Sequence, residues 1–278
     1  MEQYSPSNYI MPPAVKNLII VNVLFFLAAF SMQNAFNKDL GQILGLHFFT
    51  AESFKPYQFI TYLFMHANFT HIFFNMFALW MFGRVLEIAW GPKRFLIYYF
   101  VTGIGASLIH YGIYYFEALP VLNIVDAYLA NPSIEDFKEL METSQLPIIS
   151  QELNYQYQTF VNSYNSVVGN DLPLALDMSI TYMKEYREGF LNAPVVVGAS
   201  GAVFGILLAF GMMFPNSIIY VYFAIPMKAK YLVMIYGAIE LWSGFANSAG
   251  DNVAHFAHLG GMLFGFFLII YWRKRPIK

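Results

Sequence analysis

The sequence predicts an all-α membrane protein: a bundle of six transmembrane helices with a long extracytoplasmic insertion between the third and fourth. Three observations carry this. Of 278 residues, 58% are hydrophobic and only 12% charged, where a soluble domain has about a quarter charged residues, and the mean hydropathy is +0.50. Six apolar runs reach or approach the length that crosses hydrocarbon, about 20 residues. The charges are sorted by side of the membrane rather than spread evenly. With no cysteine, a disulfide framework and a thiolate metal site are excluded. The net charge of -2 is a sum over two segregated pools, so it points to no nucleic-acid partner.

The first run is Val15 to Met32, after a polar, Pro-containing tail over residues 1–14 that lacks the pattern of a cleavable signal peptide. A loop from Gln33 to about Gln58 follows, broken by Pro56. The second run, Thr70 to Ala89, ends at the turn Trp90-Gly91-Pro92, and the third is Phe95 to Phe116. Membrane helices 1–3 therefore occupy residues 15–116. Residues 117–190 hold 11 acidic and 3 basic side chains and no run able to span a bilayer, which makes them a polar insertion. Within it Ser133 reads as a helix N-cap before an acidic first turn, with Ile134, Phe137, Leu140 and Met141 on one face; residues 154–168, rich in Tyr and Asn, fit no pattern. Helices 4–6 lie in residues 191–278: Val195 to Phe214, entered through Pro194; Tyr231 to about Phe245, short and carrying Glu240; and Val253 to Trp272.

With six spans the loops alternate sides. One side collects Lys16, Arg84, Lys93, Arg94, Lys228, Lys230, Arg273, Lys274, Arg275 and Lys278 against Glu2 and Glu87. The other holds the insertion with Asp39, Glu52, Glu240 and Asp251. The positive-inside rule puts both termini in the cytoplasm. The outer ends of the second, fourth and sixth helices then carry His66, His71, Asn75, Ser200, His255 and His258. Polar groups inside spans are costly and mark function by default.

Ser200 stands between glycines, in Gly198-Ala199-Ser200-Gly201, at the mouth of an apolar run. His258 lies at a matching depth, so a serine nucleophile with an imidazole base is the chemistry expected of the pair. Gly201 and Gly205 form a small-residue face on the fourth helix, and Gly261 and Gly265 another on the sixth. These two faces are expected to pack together and to bring His258 to Ser200. The helix start offers free N–H groups around Gly198, Ala199 and Ser200, and His71 and Asn75, four apart, add side-chain donors from one face, all aimed at a developing oxyanion. The plainer readings are a packing serine, interhelical hydrogen bonds for His71 and Asn75, and structural roles for His66 and His255. The spacing offers no His-Glu-x-x-His motif, so neither a catalytic metal nor any cofactor is expected.

Together these motifs resemble the rhomboid intramembrane serine proteases. The resemblance rests on Gly198-Ala199-Ser200-Gly201, on Ala257-His258 with Gly261 and Gly265, and on His71 with Asn75, which come in the family's order. It covers the six spans but not residues 117–190. It implies Ser200 as nucleophile and His258 as base in a dyad without an acidic third member, and His71, Asn75 and backbone N–H groups as the oxyanion hole. His258 rather than His255 is implied by the glycines three and seven residues on; His66 is implied to be structural. Gly83 and Glu87 resemble the inner end of the family's second helix. Tyr57-Gln58 stands where many members carry Trp-Arg, and the outer insertion exceeds the minimal core; recognising substrate, covering the site and binding a partner are all open to it. The expected activity is cleavage of transmembrane protein substrates near the outer face of a bacterial inner membrane. The fifth helix and the loop from Ser243 to Asn252 are expected to form a mobile lateral gate. The alternatives are an inactive rhomboid-like protein that binds transmembrane helices and, since the polar groups cluster on one side only, more remotely a transporter.

Overall fold

A computed structural model describes residues 11–221, 224–246 and 252–274. Glu2, Asp251, Arg275, Lys278 and the centre of the expected gate loop lie outside the described residues. The chain divides into two compact units: Met1–Gly45, Tyr57–His110 and Val196–Lys278 in one, Leu46–Pro56 and Tyr111–Val195 in the other.

The first unit opens with α1 (Pro13–Phe36). Pro13 sits in its first turn, where a missing N–H costs nothing. The next N–H groups are closed from another helix: the buried Glu87 carboxylate accepts from Ala14 and Val15 at 2.8 and 2.7 Å. It satisfies two orphan donors and meets the positive end of the helix dipole. After α2 (Leu40–Leu44) and α3 (Gln58–Thr61), α4 (Phe69–Ala78) runs through a π-helical turn at Leu79–Gly83 into α5 (Arg84–Trp90). The Tyr57-Gln58 pair pins α3 to the end of α2, since both side chains donate to the Ile43 carbonyl, at 3.5 and 3.3 Å.

α6 (Pro92–Ala130) is longer than the expected third run, passing Phe116 and Pro120 without a break. Its 39 residues make a rod of about 58 Å, nearly twice a hydrocarbon core. The part up to His110 belongs to the first unit. α10 (Ser200–Met213) is apolar and almost wholly buried. It begins five residues later than expected, so Pro194 is not its first helical residue. Gly198 breaks the helix there with φ +122°, a conformation that a side-chain-bearing residue would adopt only under strain. At 14 residues, α10 is about 21 Å long, too short to cross hydrocarbon alone.

The all-α expectation needs one amendment. β1 (Ile218–Val221) and β2 (Ile225–Lys228) pair antiparallel, with Ile218 opposite Lys228 and Val221 opposite Ile225. β1 is a run of β-branched and aromatic residues, the composition that favours strands. α11 (Ala229–Ala246) and α12 (Asn252–Lys274) complete this unit. Among the described residues, four helices are long and apolar enough to cross a membrane: Pro13–Phe36, Phe69–Trp90, Pro92–Ala130 and Ala254–Lys274. Leu24, Phe30, Trp242, Phe245 and Phe267 are exposed, a dress that suits lipid rather than water.

The second unit takes α6 from Tyr111 onward together with α7 (Ile134–Glu142), α8 (Gln151–Val167) and α9 (Leu172–Asn192). Ser133 caps α7 by accepting from the Asp136 N–H at 3.0 Å, as its sequence pattern suggested. Ser150 and Asp171 cap α8 and α9 in the same way. The Tyr- and Asn-rich stretch that fits no pattern is α8. Its Phe160 stacks on Tyr182 with ring centroids 4.2 Å apart, beside the buried Phe137. Burial in this aromatic core pushes the Tyr182 phenol up to about 12.

Candidate active site

Ser200 is the first residue of α10, so its hydroxyl stands where the helix opens. His258 comes from α12, less than two turns after that helix begins. Their atoms meet: His258 Nε2 lies 3.0 Å from Ser200 Oγ. The approach depends on close packing of α10 against α12. A Cβ on Gly261 would overlap the Gly201 carbonyl, so only glycine admits this contact. The expected glycine-to-glycine seam is narrower than the spacing suggested. Gly205 faces Thr102, and Gly265 faces the Tyr98 hydroxyl, both on α6. Tyr98 donates to the Gly205 carbonyl at 2.9 Å. Three helices, not two, therefore share the small-residue faces.

Two further side chains hold the imidazole, and neither was assigned from sequence. Phe204, one turn beyond Ser200, stacks on the His258 ring with centroids 4.3 Å apart and planes within 8°. Glu240 of α11 reaches His258 Nδ1 at 3.0 Å with the same Oε2 that meets His255 Nδ1 at 2.7 Å. The expectation of a pair with no acidic neighbour is thus corrected: a buried carboxylate touches the imidazole on the side away from serine. The available signal was an acid in an apolar helix on the same side as Ser200 and His258. Its meeting with α12 depends on how two helices cross, which spacing alone does not reveal.

The proposed oxyanion donors divide. His71 lies against Gly198, and its Nε2 would be 2.8 Å from a Cβ built there. Asn68 caps α4 by accepting from the His71 N–H at 2.9 Å, which fixes where that residue starts the helix. Asn75 is buried, and its Nδ2 has no acceptor among the described residues. His71 and Asn75 line a cavity of about 790 Å³ together with Phe74, Val203, Phe204 and Tyr236. The Gly198 N–H is not available: it donates to the Tyr62 carbonyl at 2.9 Å. This bond, together with the positive φ, sets the turn that aims the start of α10. The Ala199 and Ser200 N–H groups remain at the mouth of the helix, where first-turn donors lack an intrahelical acceptor. His66 sits edge-on to His71, with ring centroids 5.1 Å apart.

Glu240, His255 and His258 also bring three metal-binding atoms within 4.8 Å of one another. Two of those separations, 2.7 and 3.0 Å, are hydrogen-bond lengths. Donors on a tetrahedral zinc ion, bound at ~2.0–2.1 Å, stand roughly 3.3 Å apart. The trio as placed is a carboxylate accepting from two imidazoles. Chemically, the arrangement offers a hydroxyl, a base beside it, and unspent donors nearby on a partly apolar cavity.

Comparison with known proteins places the chain in a family. Over 81 residues, 26% of this chain, the sequence is 36% identical to rhomboid-like protein 11, chloroplastic, of Arabidopsis thaliana. That match spans 29% of the relative's length. The Rhomboid domain family model matches residues 53–119 and 169–275, a stretch that includes α4, α10, α11 and α12. Because it covers more than half of the chain, this helical membrane protein belongs to the rhomboid family.

Proposed function

We propose that the chain is an intramembrane serine endopeptidase that cleaves transmembrane protein substrates near the outer face of a bacterial inner membrane. The observation that carries this reading is the 3.0 Å contact between Ser200 Oγ and His258 Nε2. Ser200 Oγ attacks the scissile carbonyl while His258 Nε2 takes its proton. The carbonyl oxygen becomes an oxyanion that accepts from Asn75 Nδ2, the His71 ring and the Ala199 and Ser200 N–H groups. The intermediate collapses, His258 gives the proton to the leaving amine, and the acyl-serine is hydrolysed by water that His258 activates in turn.

In this reading the membrane domain has six spans: α1, α4 with α5, α6, α10, α11 and α12. The short α10 stands at the centre, its N-terminal end recessed below the outer headgroups, where water reaches Ser200. Both termini face the cytoplasm by the charge bias. The 790 Å³ cavity between α4, α10, α11 and β1 receives the substrate segment, and α11 moves to admit it. A helical substrate must unwind there to present a carbonyl, so helix-destabilising residues near the scissile bond favour cleavage.

The test is proteolysis of a single-pass substrate by the purified protein in proteoliposomes. Ser200→Ala and His258→Ala should each abolish cleavage while the protein still inserts and folds. His255→Ala should retain substantial activity, since the ring that meets Ser200 Oγ is His258. Full activity in either of the first two variants refutes the reading, and complete loss in the third means that the wrong histidine was chosen.

A further inference from the structure

We propose that Glu240 is a positioning residue that completes the Ser200–His258 pair by fixing the tautomer of His258. The proposal rests on the peptidase reading above. An ionised carboxylate only accepts hydrogen bonds. With Glu240 Oε2 3.0 Å from His258 Nδ1, the imidazole proton must sit on Nδ1. Nε2, 3.0 Å from Ser200 Oγ, is then the bare nitrogen that can receive the serine proton. The opposite tautomer would present Nε2–H to the hydroxyl and leave no lone pair there to take its proton.

The carboxylate is itself held. His255 and His258 are three apart on α12 and so share one face. His255 donates to the same Oε2 at 2.7 Å, which prevents the acid from swinging off His258. The two helices are close at this level: a Cβ on Gly244, one turn beyond Glu240, would come 3.1 Å from the Phe256 ring. Phe204 fixes the plane of the imidazole from the α10 side. A charge within an apolar helix is costly unless it is paired. Glu240 stands 8% exposed, and the partners its Oε2 meets are these two rings. The arrangement repeats the logic of nucleophile, base and orienting acid, with the acid on a separate helix.

The experiment combines kinetics with a spectroscopic reading of the ring, on full-length protein in detergent or proteoliposomes. In Glu240→Leu and Glu240→Gln, kcat should fall about 100-fold, within the ~10²–10⁴ that general-base assistance contributes. KM should stay within about twofold, since only the reacting groups lose help. Glu240→Asp should recover part of kcat. Selective ¹⁵N-histidine spectra should show His258 protonated at Nδ1 and bare at Nε2 in the wild type, and a mixture of tautomers in Glu240→Leu. Wild-type kcat in Glu240→Leu, or a wild-type ring protonated at Nε2, overturns the proposal. So does activity that a chelator removes and zinc restores, which would make the trio a metal site. If the wild type neither cleaves substrate nor reacts with a fluorophosphonate, the peptidase reading fails separately. The tautomer spectra then still decide: Nδ1–H supports the positioning role and Nε2–H overturns it.

Discussion

A buried amide with nothing to donate to costs about 1–3 kcal/mol, and Asn75 Nδ2 is in that position among the described residues. A fold keeps such a group when a ligand or reaction intermediate satisfies it, and Asn75 lines the cavity beside His71. Asn75→Ala should therefore lower kcat about 100-fold, the usual cost of one oxyanion donor, without lowering the thermal unfolding midpoint. Kinetics beside a melting curve would check both; a melting loss with unchanged kcat would make Asn75 structural. At this scale much of the site was legible. Ser200, His258, His71 and Asn75 are polar residues in apolar runs, where only function or a partner excuses them. Glu240 carried the same signal. From sequence it bears on the fifth run and on orientation, because its partners lie 15 and 18 residues away on a different helix. Gly198 departs from the expectation: glycine beside a helix start looks like a free donor, but the chain turns there to donate to Tyr62.

Among the elements, α10 has the most exacting fit. It is buried on nearly all sides, and its contact with α12 passes through Gly201 and Gly261 without room for a methyl group. Gly261→Ala should destabilise the protein by about 3 kcal/mol, the upper end for overpacking, because the obstacle is a backbone carbonyl rather than a movable side chain. Gly112→Ala, built into open space on α6, should be neutral or stabilising, as helical Gly→Ala is by roughly 0.5–1 kcal/mol. Unfolding curves of the two variants in detergent test the contrast, and equal midpoints would deny the close contact. Of the six apolar runs, four match helices long and apolar enough to cross a membrane among the described residues, since lipid-facing and core-facing sides are both greasy. The runs located ends poorly. Val195 to Ala199 is as apolar as a helix should be, yet it is not helical, because a single positive φ outweighs local composition. α6 overran its apolar run because nothing in the next residues stops a helix; even Pro120 is tolerated. α8 is hard to read because Tyr and Asn are middling helix formers, although Phe160 and Tyr164 at i and i+4 stack along one face.

For the whole molecule, the sequence reading puts the polar groups of the second, fourth and sixth runs toward one end and most cations of the membrane-domain loops toward the other. Glu87 marks the basic end, where it ties the start of α1 to α5. Ser200, His258, Glu240, His71 and Asn75 come from α4, α10, α11 and α12, helices far apart in sequence that converge within one unit. In the proposed reading the short α10 leaves its first residue within reach of water, which hydrolysis requires and hydrocarbon otherwise denies. The account stands on Ser200 being an activated nucleophile there. The most direct measurement is mass spectrometry of the membrane-reconstituted protein after reaction with a fluorophosphonate. The account predicts one covalent adduct on the peptide bearing Ser200, absent in Ser200→Ala and strongly reduced in His258→Ala. No adduct on Ser200, or equal labelling in Ser200→Ala, would contradict it.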